Sequence, residues 1–285
     1  MIVSELKPRT FCGMETPPEA SDIVIYGAPF DGTTSFRPGT RYAPERMRLE
    51  SWGLETYSPY QDLDLEDFLI GDAGDLDLPM GDVAAALDQI ETFADSLFAK
   101  KKRPVMLGGE HSLTLGQLRA ALTFYPDLHI IQFDAHTDLR HEYYGQPLSH
   151  ASVMRRVADI LPEGHIHQFG IRSGLKEEFH FAREHLNFHP FTLDDLEATL
   201  SELSDKPLYV TIDLDVLDPS VFPGTGTPEP GGVSYLDLQK AVIAFRNSRV
   251  IAADIMELSP PLDQSGASTA VACKILRELV LAIAK

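Results

Sequence analysis

The stretch "LHIIQFDAHTDLR", residues 128–140, ends an apolar run in Asp134, His136 and Asp138, one at every second position. In extended backbone, residues two apart share a face, so these side chains can be aimed at one spot. Two further apolar runs end in a similar way. "VMLGGEHSLTLG" turns at Gly108 and Gly109 before Glu110 and His111, and "VTIDLDVLDPS" presents Asp213 and Asp215 two apart. Four aspartates converging without counter-ions would repel, and several would have to stay protonated at neutral pH. A pair of divalent cations removes that conflict, because four carboxylates and two M²⁺ ions balance in charge. Oxygen and imidazole donors without thiolate favour Mn²⁺, with Co²⁺, Ni²⁺ or Zn²⁺ as alternatives, over an all-oxygen Ca²⁺ or Mg²⁺ site. One D-x-D after a strand is commonly a turn or a helix cap. Three such clusters at successive strand ends point to a site.

The elements that must position these residues can be read from periodicity. Apolar segments at 22–29, 68–75, 103–109, 128–134, 165–172, 207–215 and 249–257 read as strands. Between them, "VAAALDQIETFADSLFAK" carries Leu87, Ile90, Ala94, Leu97 and Phe98 on one helical face. "SLTLGQLRAAL", "SVMRRVADIL", "DDLEATLSEL", "SYLDLQKAVIAF" and "TAVACKILRELVLAIA" are further helices, with Ser234 and Asp237 placed as a capping box. The alternation predicts a mostly parallel central sheet with helices on both faces. In such sheets sites lie beyond the carboxyl ends of the strands, where the polar clusters fall. No repeat, low-complexity tract or linker divides the chain, so a single domain over 1–285 is expected.

Composition narrows the partners. Lysine and arginine total 24 against 43 aspartates and glutamates, a formal charge of -19. That field disfavours nucleic acid and anionic membrane surfaces and suits a small cationic molecule, although acidic surfaces also serve solubility. Cys12 and Cys273 are far apart and form no C-x-x-C, so neither a disulfide framework nor a cysteine metal site is indicated. "MIVSELKPRTF" lacks the apolar region of a signal peptide, and no apolar run reaches the ~20 residues of a membrane helix. A cytoplasmic protein is expected.

"GGEHS", "DAHTD", "SHAS", "TIDLDVLDP", "GTGTPEPGG" and "DIMELSP" together resemble the ureohydrolase (arginase/agmatinase) superfamily in order and spacing, from "GAPFDGTTSFRPGTRYAP" to the C-terminal helix. The resemblance implies the three-layer α/β/α arginase-like fold and two Mn²⁺ ions per chain. It implies that His111, Asp134, Asp138 and Asp213 hold one ion and Asp134, His136, Asp213 and Asp215 the other. His150 matches the family's proton-shuttling histidine, with His141 as the local competitor. Glu257 matches the carboxylate that pairs with the guanidinium, a planar two-bond contact. Glu110 is a candidate buttress of the neighbouring ligand. The segment "FDGTTSFRPGTRYAP" is expected to loop over the cleft.

The chemistry implied is hydrolysis of a guanidinium. Two metals about 3.5–4 Å apart can share a water and lower its pKa, supplying hydroxide to a poor electrophile. Collapse of the tetrahedral adduct releases urea and an amine that must leave protonated. "LRHEYYGQPLSHAS" lacks the Asn-x-Pro pattern of arginases, and the surrounding text looks most like bacterial agmatinases, whose product is putrescine in polyamine synthesis. Arg140 argues the other way if it points into the pocket, since it would favour a carboxylate tail. The alternative is a pairing with an acid such as Glu142. The other readings weighed are a guanidinobutyrase or arginase, a one-zinc deacetylase on the same fold, and a non-catalytic ureohydrolase-like binding protein. A trimeric or hexameric homo-oligomer is expected from the family.

Overall fold

The computed structural model describes residues 9–285. The first eight residues, which carry most of the signal-peptide expectation, lie outside that range. Ten strands are present among the described residues: β1 Ile23–Ala28, β2 Tyr57–Ser58, β3 Leu63–Asp64, β4 Ile70–Asp75, β5 Arg103–Gly108, β6 His129–Phe133, β7 Ile166–Phe169, β8 Asn187–His189, β9 Leu208–Asp213 and β10 Val250–Met256. Eight of them form one sheet in the order β4-β1-β5-β10-β9-β6-β7-β8, and every neighbouring pair is parallel. β2 and β3 pair separately as a short antiparallel hairpin.

Eight α-helices cover the sheet: α1 Ala43–Ser51, α2 Val83–Ala99, α3 Thr114–Phe124, α4 Val153–Ala158, α5 Lys176–His185, α6 Leu196–Glu202, α7 Tyr235–Ala244 and α8 Ala267–Ala284. The sheet residues alternate between two apolar cores, as the period-2 side-chain geometry requires. Ile23, Ile25, Ile131 and Val210 face Met47 of α1, Leu200 of α6, Val242 of α7 and Leu276 of α8. Val24, Tyr26, Ile130 and Tyr209 face Leu87 and Ile90 of α2, Leu118 of α3 and Val157 of α4. The result is the α/β/α sandwich with a mostly parallel sheet that the alternation predicts. Local chemistry sets the helix starts. Asp82 caps α2 by accepting the Ala85 N–H at 3.0 Å, and Ser234 and Asp237 form the expected capping box, each accepting a backbone N–H of the other.

Besides the β2–β3 hairpin, which no apolar run announces, three elements differ from the sequence reading. The expected loop 30–44 is irregular only to Gly39; a 3₁₀ turn over Thr40–Tyr42 then leads into α1, with Pro44 in its first turn. Helix α5 has no apolar stripe because its buried positions are Glu178 and Ala182. The Glu178 carboxylate accepts the Leu139 N–H at 3.1 Å and the Leu175 N–H at 2.5 Å, so a hydrogen-bonding residue stands where periodicity expects an apolar one. Strand β8 is three residues long with no fully buried position, which leaves no apolar run to read.

Candidate metal centre and adjoining pocket

Strands β5, β10, β9 and β6 are consecutive in the sheet; the three expected clusters sit at the carboxyl ends of β5, β9 and β6, and Glu257 at that of β10. The turn after β5 is glycine-dependent: a Cβ on Gly109 would lie 1.8 Å from the Phe30 carbonyl oxygen. That close approach brings the β1 loop against Glu110 and His111. At the end of β10, Glu257 adopts φ 65, and after β6 Asp138 adopts φ 52. Each left-handed non-glycine residue costs about 1–3 kcal/mol, which the surrounding hydrogen bonds and packing must offset.

The six expected ligands converge. His111 Nδ1 lies 2.9 Å from Asp138 Oδ2, 3.1 Å from Asp134 Oδ2 and 3.5 Å from Asp213 Oδ2. His136 Nδ1 lies 3.0 Å from Asp215 Oδ2 and 3.7 Å from Asp134 Oδ1. Two ligand-spaced triads result, His111–Asp134–Asp213 and Asp134–His136–Asp215, which share Asp134 through different oxygens. Asp138 joins the first through His111. Asp213 stands in the first triad alone, whereas the sequence reading also had it bridge to the second.

The remaining hydrogen bonds fix these side chains. His111 Nε2 is 2.9 Å from Thr211 Oγ1; as a donor there, it fixes the ring with Nδ1 turned toward the aspartates. Asp134 accepts from the His136 N–H at 2.6 Å and from Gln132 at 2.7 Å; Asp213 accepts the Asp215 N–H at 2.9 Å. Asp215 accepts the Ala135 N–H at 3.1 Å. Its main chain is gripped by Arg172, whose guanidinium donates to the carbonyls of Asp215, Val216 and Glu229. Arg172 was not singled out from sequence, since a lone arginine in "FGIRSG" has no spacing signature.

The electrostatics test whether divalent cations fit. All four aspartates are buried, and among the described residues their ion-pair partners are histidines, with no lysine or arginine. Burial, with Asp134 next to it, pushes Asp138 up to about 7. Burial and the charges of Asp215, Asp134 and Glu257 push Asp213 well above the carboxylate range. Burial would raise Asp134 too, but hydrogen bonds from His111 and His136 hold it low. Burial disfavours a charged His111, yet Asp134 and Asp138 raise it far above the usual histidine value. The only positive groups facing these carboxylates among the described residues are imidazoles, and the donor set fits two divalent ions with mixed oxygen and nitrogen ligands.

A cavity of about 260 Å³ opens onto the cluster. His136, Asp138 and Asp213 form part of its wall together with Glu257, His150 and Arg140. Glu257 Oε1 accepts the His111 N–H at 2.8 Å, and burial raises this carboxyl well above its ordinary range, with the neighbouring Glu110 adding to the rise. His150 opens the 3₁₀ turn before α4, and burial pushes its imidazole down to about 4. His141, the competitor, is exposed beside Arg156 and does not line the cavity. Arg140 does line it, but its guanidinium stacks over the Tyr143 ring at 4.4 Å, which replaces the expected pairing with Glu142. The carboxylate of Glu110 turns away from the His111 ring to accept from Thr33 and Ser112.

The arginase family model matches residues 21–282. The chain belongs to the arginase family. It is an enzyme of the ureohydrolase superfamily, as its motifs suggested, and the family match separates it from the deacetylases. It is 46% identical to agmatinase from Bacillus anthracis over 92% of both chains. It is 45% identical to agmatinase from Bacillus subtilis, over 94% of this chain and 93% of that one. The solved structure of a candidate agmatinase from Clostridium difficile superposes with a TM-score of 0.91 at 50% identity, covering 93% of this chain and 98% of that one.

Proposed function

We propose that this arginase-family enzyme hydrolyses agmatine to putrescine and urea, using two Mn²⁺ ions within a single domain spanning 1–285. The observation that carries the reading is the meeting of His111, Asp134, His136, Asp138, Asp213 and Asp215 at one end of four adjacent strands. Its similarity to agmatinases supports the choice of substrate.

The ligand roles are assigned as two triads joined by Asp134, with Asp138 completing the His111 side. Bound there, the two ions supply the Lewis acidity that lowers the pKa of water to the neutral range. The protein's own groups do the rest. Glu257, held by the His111 N–H, offers a carboxylate to the guanidinium and fixes the reacting carbon over the cluster. As a buried group it is charged most readily when that cation arrives. His150, at the cavity wall, carries a proton from the cluster side to the departing amine, and its depressed pKa makes it quick to give that proton up. The net charge of -19 draws a dication such as agmatine toward the molecule. Arg140 is held over the Tyr143 ring at the cavity wall, and the aspartates and Glu257 outnumber its one positive charge there. A cytoplasmic homo-oligomer, trimeric or hexameric, is the assembly we assign.

Urea release from Mn²⁺-loaded protein tests the substrate. Agmatine is expected to give the highest kcat/KM among agmatine, arginine and 4-guanidinobutyrate. Equal or better turnover of either carboxylate compound overturns the substrate and leaves the reaction class standing.

A further inference from the structure

We propose that Thr33 positions His150: its side chain ties the main chain of the proton-bearing histidine to the strand end carrying His111. Three segments distant in sequence meet at this hydroxyl. The Thr33 O–H donates to Glu110 Oε1, and Thr33 Oγ1 accepts the His150 N–H at 3.1 Å. Glu110 is fully buried and adjacent in sequence to His111. Its other oxygen accepts the Thr33 N–H at 2.7 Å, so the threonine is held at two points before it holds anything else. Ser35, two residues further along the loop, approaches His150 Nε2 at 3.3 Å.

The arrangement divides two tasks. The main-chain bond from Thr33 to Glu110 anchors the loop, and the hydroxyl passes that anchorage to the His150 main chain. His150 needs such a fixture, because its Nδ1 is buried without a hydrogen-bond partner and Ser35 offers the ring just one distant contact. A general acid displaced by about 1 Å loses on the order of 10²-fold in rate. Valine at position 33 keeps the volume and the anchoring N–H and removes only the hydroxyl. Serine keeps the hydroxyl and removes a methyl group.

The inference rests on His150 being the proton carrier, and the test separates the two ideas. Hydrogen exchange on Mn²⁺-loaded protein reads the tether without catalysis. Thr33→Val is expected to speed exchange in the peptide covering 147–152 by about tenfold or more, while Thr33→Ser matches the parent and the 208–216 peptide is unchanged. In urea release from agmatine, Thr33→Val is expected to lower kcat by about 10–100-fold with KM nearly constant. Thr33→Ser restores it, and in a His150→Asn background Thr33→Val adds no further loss. Unchanged exchange at 147–152 in Thr33→Val, a serine variant as impaired as the valine one, or losses that multiply in the double variant would each overturn the tether. If His150→Asn keeps full kcat, the proton-carrier role falls, and the exchange result alone decides whether Thr33 holds that loop.

Discussion

At the scale of single residues, the site is built from charges that do not suit burial unless something positive joins them. Asp213 and Glu257 are both raised far above ordinary carboxyls by burial, and Glu257 adds to the rise at Asp213. Glu257 accepts the His111 main-chain N–H, whereas the four aspartates face the imidazole rings of His111 and His136. Glu257→Gln keeps that acceptor and loses the charge. It is expected to cost about 2–5 kcal/mol in kcat/KM for agmatine while two ions per chain remain bound. A variant with normal kcat/KM, or one that loses metal, would show that Glu257 serves the cluster and not the substrate. The site's residue types were legible because D-x-H-x-D and D-x-D at strand ends constrain direction. Thr33, Thr211 and Arg172 were not, because they act through ordinary hydrogen bonds to main-chain and side-chain groups that no spacing rule encodes.

At the scale of elements, the sheet order makes the site. β5, β10, β9 and β6 come from widely separated parts of the chain, and their being neighbours is a property of the sheet that periodicity alone does not state. The strands themselves were legible as apolar runs, with ends that agree to within a few residues. α5 was not, since Glu178 occupies its inward face, and neither was β8, which lacks a buried residue. A tight junction lies at Gly109, whose N–H donates to the Ala28 carbonyl and whose carbonyl accepts the Glu257 N–H, both at 3.0 Å. Gly109→Ala places a methyl group against the Phe30 carbonyl and must push β1's loop away from the β5 and β10 ends. The expected result is a loss of about 1–3 kcal/mol in stability together with at least tenfold weaker Mn²⁺ binding. Unfolding and metal titrations of this variant that overlay the parent's would refute that role for the junction.

For the molecule as a whole, the two ends of the sheet have opposite characters. The carboxyl ends gather acids, whereas the amino ends of β6 and β7 gather His129, His165 and His167. His129 Nδ1 is 3.2 Å from His167 Nε2, and the His129 and His165 rings stack at 4.0 Å. Burial, with neighbouring histidines, lowers His129 to about 4 and His167 to about 3; Asp127, Lys206 and His189 also face this group. Both histidines stay neutral in the folded chain where the unfolded chain protonates, near pH 6.5. Their contribution is therefore complete above about pH 6.5 and is lost as pH falls toward 4. Melting of metal-free protein between pH 7.5 and 4.5 is expected to show a shallower decline for His167→Gln than for the parent; parallel curves would exclude the cluster as a source of acid sensitivity. The acid-rich end holds the central claim, and anomalous scattering from crystals grown with excess Mn²⁺ reads it directly. Two manganese peaks are predicted, one among His111, Asp134, Asp138 and Asp213 and one among Asp134, His136 and Asp215. A single peak at full occupancy, or manganese away from these side chains, would contradict it.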